Sequence, residues 1–76
     1  MKRLPVLSGK DVIGILSKSG FIVVRQKGSH VIMKNLAKAA VVVVPNHREV
    51  DKGTLLEIMR QSKMTKEEFT RLAEHY

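Results

Sequence analysis

The 76-residue chain has no cysteine and no tryptophan, only two phenylalanines and one tyrosine, and half as many acidic residues as basic ones. Without cysteine it cannot build a disulfide framework or a thiolate zinc site, the devices that usually stabilise very small folds. A chain near this length buries only about 60% of its unfolded surface, so residues 1–76 are expected to form a single domain. With aromatics scarce, its core has to be aliphatic. A hydrophobic content of 43%, with valines and isoleucines clustered, can supply that core and argues against disorder. Long apolar runs are also lacking. The longest, 39–45, falls far short of the roughly 20 residues of a membrane span. The stretch before Ser8 is too short for a secretory signal, and Ser8 itself begins a helix signal, so the expected location is cytoplasmic with no membrane partner.

What the chain has in excess is positive charge. Its formal net charge is +7 and its pI about 10.2. The charge is uneven: residues 1–48 carry nine Lys/Arg against one acid, Asp11, whereas residues 49–76 carry five Lys/Arg against six acids. A basic first two-thirds points to a polyanionic partner, most often nucleic acid, with charge kept for solubility as the plainer alternative.

Ser8-Gly9-Lys10-Asp11 resembles a capping box with Asp11 in place of the usual Glu. Val12, Ile13, Ile15 and Leu16 follow at helical spacing and Gly20 fits a stop, which predicts a helix over about 9–19. The β-branched run 21–26 predicts a strand, Lys27-Gly28 a tight turn, 29–34 a second strand and 41–44 a third, ended by Pro45-Asn46. Asp51 is the expected cap of a second helix over about 52–62, with Leu55, Leu56, Ile58 and Met59 as its apolar face. Thr65 to Glu68 is a capping box flanked by a Met64–Phe69 staple, which predicts a third helix over about 66–75. The expected architecture is α+β: an antiparallel three-stranded sheet with helices on one face, in the order α-β-β-β-α-α.

A two-residue turn at Lys27-Gly28 pairs Arg25 with His30 and Val24 with Val31. A loop over 36–39 pairs Lys34 with Val41, Ile32 with Val43 and His30 with Pro45. One face then carries Ile22, Val24, Val31, Met33, Val42 and Val44, which the helices should cover. The other carries Phe21, Val23, Arg25, His30, Ile32, Lys34, Val41 and Val43, apolar enough at its centre to suggest a protein partner. A slip of one residue would exchange the faces. This register brings Arg25, Lys27, His30 and His47 to one end of the sheet.

Two motifs carry chemistry there. In Gly28-Ser29-His30, glycine allows close backbone approach to a phosphate and Ser29 offers a hydroxyl and an N–H. Histidine, with an ordinary pKa of about 6.5, can take or give a proton at neutral pH. RNA carries its own nucleophile, the 2′-hydroxyl, so an RNA-cleaving site needs a base, an acid and cations for the charge that develops on phosphorus. His30, His47, Arg25 and Lys27 make such a set. The plainer reading is a chance tripeptide and a structural strand histidine. In Val44-Pro45-Asn46-His47-Arg48, His47 is either the second proton-transfer group or a solvated loop residue. His75 is accounted for by a favourable interaction with a helix C-terminus. His30 and His47 with Glu49 or Asp51 form only a partial ligand set, without the close spacing of a zinc pattern and in basic surroundings, so no metal is expected. Met33, Met59 and Met64 read as core, and no glycine-rich nucleotide loop is present, so no cofactor is expected either.

In this order, Ser8-Gly9-Lys10-Asp11, Gly20-Phe21, Arg25 to His30, Val44-Pro45-Asn46-His47 and Lys52-Gly53-Thr54-Leu55 resemble the HicA-type toxins of HicA–HicB toxin–antitoxin pairs, over about residues 6–62. The resemblance implies a fold like a double-stranded-RNA-binding domain, metal-independent endonucleolytic cleavage of mRNA, and a HicB-type antitoxin that covers the active site. It places the catalytic role on His30. The phosphate-binding roles expected for Arg25, Lys27, Gly28, Ser29 and Lys10, the antitoxin-facing roles of Phe21, Val23, Ile32 and Lys34, and a catalytic part for His47 are this chain's own expectations. A non-catalytic RNA-binding module is the alternative, and a protein-interaction domain using the outer apolar face is a further one.

Overall fold

Ser8 opens the chain's first helix, α1 (Gly9–Lys18), in the computed structural model, which describes residues 6–74. The Ser8 hydroxyl accepts from the Asp11 N–H at 3.1 Å, and the Asp11 carboxylate accepts from the Ser8 N–H at 3.1 Å. The shorter Asp therefore closes the box as a Glu would. Val12, Ile15 and Leu16 are buried. The helix ends at Ser19, and the Phe21 N–H donates back to the Leu16 carbonyl, turning the chain into the sheet.

The sheet is antiparallel, in the order β1 (Ile22–Lys27), β2 (His30–Asn35), β3 (Ala40–Pro45). Between β2 and β3 the register is the expected one: His30 opposite Pro45, Ile32 opposite Val43, Lys34 opposite Val41. Val31, Met33, Val42 and Val44 are buried on the helix side. α2 (Lys52–Ser62) and α3 (Lys66–Glu74) complete that layer. Asp51 caps α2 through Thr54, while Leu55, Ile58 and Met59 are buried. Leu56, expected on the same apolar face, is half-exposed. Thr65 and Glu68 form the capping box of α3, with Met64 and Phe69 buried on either side of it. This is the layout of a double-stranded-RNA-binding domain with one added helix. His75 lies outside the described residues, as do residues 1–5.

The first hairpin departs from expectation. Its two-residue turn is Gly28-Ser29, so Lys27 rather than Arg25 stands opposite His30, and Arg25 stands opposite Ile32. Gly28 takes φ +58° and Ser29 does not enter positive φ, the pattern of a II′ turn with glycine in first place. The shift moves each partner by two residues, so Arg25 keeps its face. A bulge between Val23 and Arg25 then inverts the rest of the strand: Val23 stands opposite Met33 and Ile22 opposite Lys34. Ile22 and Val24 therefore do not join the core. Ile22 and Val23 exchange their expected faces, and both remain half-exposed with Val24 because the helices do not reach over β1. Phe21, expected on the outer face, precedes the strand and is buried.

Candidate active site

The end of the sheet that carries Gly28-Ser29-His30 is held by backbone hydrogen bonds. The Asn46 N–H donates to the Ser29 carbonyl at 2.7 Å, and the His47 N–H donates to the Pro45 carbonyl at 2.9 Å. The Gly9 N–H, at the start of α1, donates to the His47 carbonyl at 2.8 Å. One step further, the Val50 N–H donates to the Leu7 carbonyl, a short antiparallel bridge that ties the segments preceding α1 and α2. The β1–β2 turn, the loop after β3 and the head of α1 are thus fastened together without using a side chain.

That fastening depends on Gly9, which is buried. A Cβ there would strike the Pro45 carbonyl oxygen and lie 2.6 Å from the Asn46 Cα and 3.0 Å from the His47 nitrogen. All three are backbone atoms that cannot swing aside. The sequence reading placed Gly9 only within a capping box and missed this contact. Its signal was a glycine in a helix's first turn, where alanine is the better helix former.

The side chains at this end are left to solvent. Lys10, Lys27, Ser29, His30 and His47 are exposed, as is Arg25 two residues inland on the face that Lys27 and His30 share. Among the described residues, neither imidazole has a hydrogen-bond partner. No Asp or Glu occurs between Asp11 and Glu49, so the whole sheet is free of carboxylate. Asp11 is occupied in the α1 cap. Asp51 gives both oxygens to Thr54, whose hydroxyl and N–H hold its carboxyl below its ordinary pKa. It serves as a helix cap, not as a companion to the histidines. This end of the sheet thus carries two exposed imidazoles and several exposed cations. Of the residues expected to face a protein partner, Ile32 is partly exposed and Lys34 exposed on this same outer face, whereas Phe21 is buried and Val23 belongs to the opposite face.

A shallow depression of about 480 Å³ lies elsewhere, at the far end of the sheet, lined by Ser19, Gly20, Ile22, Asn35 and Leu36. Asn35 there is buried and fully used: its amide nitrogen donates to the Ser19 carbonyl and its oxygen accepts from the Lys38 N–H. No helix among the described residues is long and apolar enough to cross a membrane.

No curated protein matches the chain. A family model described as the HicA toxin of bacterial toxin–antitoxin systems matches residues 9–64, from Gly9 at the head of α1 to Met64, two residues past the end of α2. With that match spanning most of the chain and enclosing both histidine motifs, the protein belongs to the HicA toxin family and is the toxin member of a toxin–antitoxin pair, with a cognate antitoxin as its partner.

Proposed function

We propose that the toxin is a metal-independent endoribonuclease that cleaves mRNA, with His30 as its principal acid/base group. The observation that carries this reading is the exposed His30 imidazole, set opposite Lys27 at a Gly-Ser turn. One imidazole takes the proton of a 2′-hydroxyl, whose oxygen attacks the adjacent phosphorus. The O2′–P bond forms and the P–O5′ bond breaks. A protonated imidazole gives the leaving 5′-oxygen its proton, leaving a 2′,3′-cyclic phosphate and a 5′-hydroxyl. His47, on the loop bonded to Gly9 and following the residue bonded to Ser29, fills the second proton-transfer role. Arg25, Lys27 and Lys10 hold phosphates and offset the charge of the pentavalent state, and the Gly28-Ser29 backbone allows the phosphate to approach closely. In this reading the toxin acts in the cytoplasm, and a HicB-type antitoxin silences it by covering the His30 end and the outer face at Ile32 and Lys34.

The lack of an orienting partner on either imidazole favours a second reading, an RNA-binding module without turnover. Labelled mRNA incubated in EDTA with wild type and His30→Ala, with a binding titration alongside, separates the two. Cleavage by wild type alone, with binding kept by the variant, supports the nuclease. Binding by both with cleavage by neither supports the binding module.

A further inference from the structure

The two edges of the sheet are treated differently. At β3 the Val43 N–H donates to the Gln61 side chain at 3.1 Å, so a residue of α2 takes up a main-chain donor of that edge. At β1 nothing does: among the described residues the strand pairs only with β2, and all six of its residues are exposed. Three of them are Ile22, Val23 and Val24, exposed by 59%, 51% and 46%. A half-apolar strand with a free edge is a template for another strand.

Charge identifies the occupant. The edge carries Arg25 and Lys27, Lys34 stands beside Ile22, and no carboxylate occurs anywhere in the sheet. A second copy of this chain would bring the same acid-free strands to the contact, in a protein of net charge +7, and like charges would oppose it. A strand with acidic side chains among apolar ones fits. We infer that β1 is the docking edge for an acidic β-strand of the cognate antitoxin, which extends the sheet to four strands. Backbone hydrogen bonds supply the pairing, and the carboxylates, set against Arg25 and Lys27, select the partner. A strand lying there runs one strand spacing, about 4.8 Å, outside β1 and ends beside Lys27, across from His30. This rests on the antitoxin partnership of the family and on no assumption about cleavage.

Hydrogen–deuterium exchange of the toxin, alone and co-purified with its cognate antitoxin, tests the inference directly. Exchange of the amides of 22–27 is expected to slow at least tenfold in the complex. Val24→Glu, which sets a charge of the partner strand's own sign on the edge, is expected to weaken the complex at least tenfold, and Val24→Lys less than threefold. Both variants lie outside the RNA site and should cleave RNA as wild type does, or bind it as wild type does if the protein proves to be a binding module. Protection confined to 28–30 and 45–48 would overturn the inference, as would equal weakening by Glu and Lys. Concentration-dependent protection of β1 in the toxin alone would assign the edge to a second copy instead.

Discussion

The two ends of the sheet hold polar side chains under opposite arrangements. At the far end, Asn35 is buried with both halves of its amide bonded, one to Ser19 and one to Lys38. At the near end, the backbone of Ser29, Asn46, His47 and Gly9 does the bonding, and His30, Lys27 and His47 keep their side chains free. The first arrangement spends its polar groups on holding the β2–β3 turn against the end of α1. The second fixes positions by main chain alone and leaves imidazole and ammonium groups exposed. Buried and satisfied polar groups report architecture, while exposed ones on a rigid frame report function.

The contrast is sharpest in a pair of substitutions. His30→Ala should reduce cleavage by ~10²–10⁴-fold, the range for a lost proton-transfer group, and leave Tm within about 3 °C because the side chain is exposed and lies outside the core. Asn35→Ala should do the reverse. It leaves the part-buried Ser19 carbonyl and Lys38 N–H without their side-chain partner, costs about 2 kcal/mol and lowers Tm by roughly 8–16 °C, with cleavage at low temperature unchanged. Thermal scans beside a cleavage assay decide both.

Gly9→Ala breaks the frame without touching a catalytic group. Its Cβ displaces the Pro45–His47 backbone, so cleavage should fall about tenfold or more through misplacement of His47, together with a stability loss of about 1–3 kcal/mol. If Gly9→Ala cleaved as fast as wild type at low temperature, the backbone stitching would have no bearing on the site.

The smallest effect belongs to Asp51, which lies in neither end. Its carboxyl is held below its ordinary pKa by Thr54, so it stabilises the folded state above the unfolded value, near 3.8, and loses that contribution as pH falls through the lower folded value. Asp51→Asn should therefore melt below wild type at neutral pH, and the gap should close on acidification. Cleavage should not differ between the two. Melting curves from neutral to strongly acid pH measure the gap.

The fold was legible in the sequence because its signals are local. Capping boxes at Ser8 and Thr65, the Asp51 cap and the staple of Met64 with Phe69 marked the helices, and the valine run ended by Pro45 fixed the β2–β3 register. The first hairpin was not legible to the same degree. Lys27-Gly28-Ser29 accommodates a turn with glycine in either place, and both choices leave Arg25 and His30 on one face, so the alternation does not tell them apart. The bulge between Val23 and Arg25 leaves no mark in a run of β-branched residues, so the faces of Ile22 and Val23 could not be read. Phe21 reads as the first residue of a strand, yet it is buried beneath the end of α1 because the chain turns there. The motif end of the sheet survived these errors, since a shift of two residues preserves the face. Gly9 was missed because its reason lies 36 residues away in the chain, at Pro45.

The most direct test of the account is the chemistry of the cut ends. RNA cleaved by the wild-type toxin in EDTA, analysed by mass spectrometry, should carry 2′,3′-cyclic phosphate or its hydrolysis product on one fragment and a 5′-hydroxyl on the other. Fragments ending only in 3′-hydroxyl would mean that water, not the neighbouring 2′-oxygen, attacks phosphorus. Proton transfer by His30 to and from the ribose would then be the wrong account of this site.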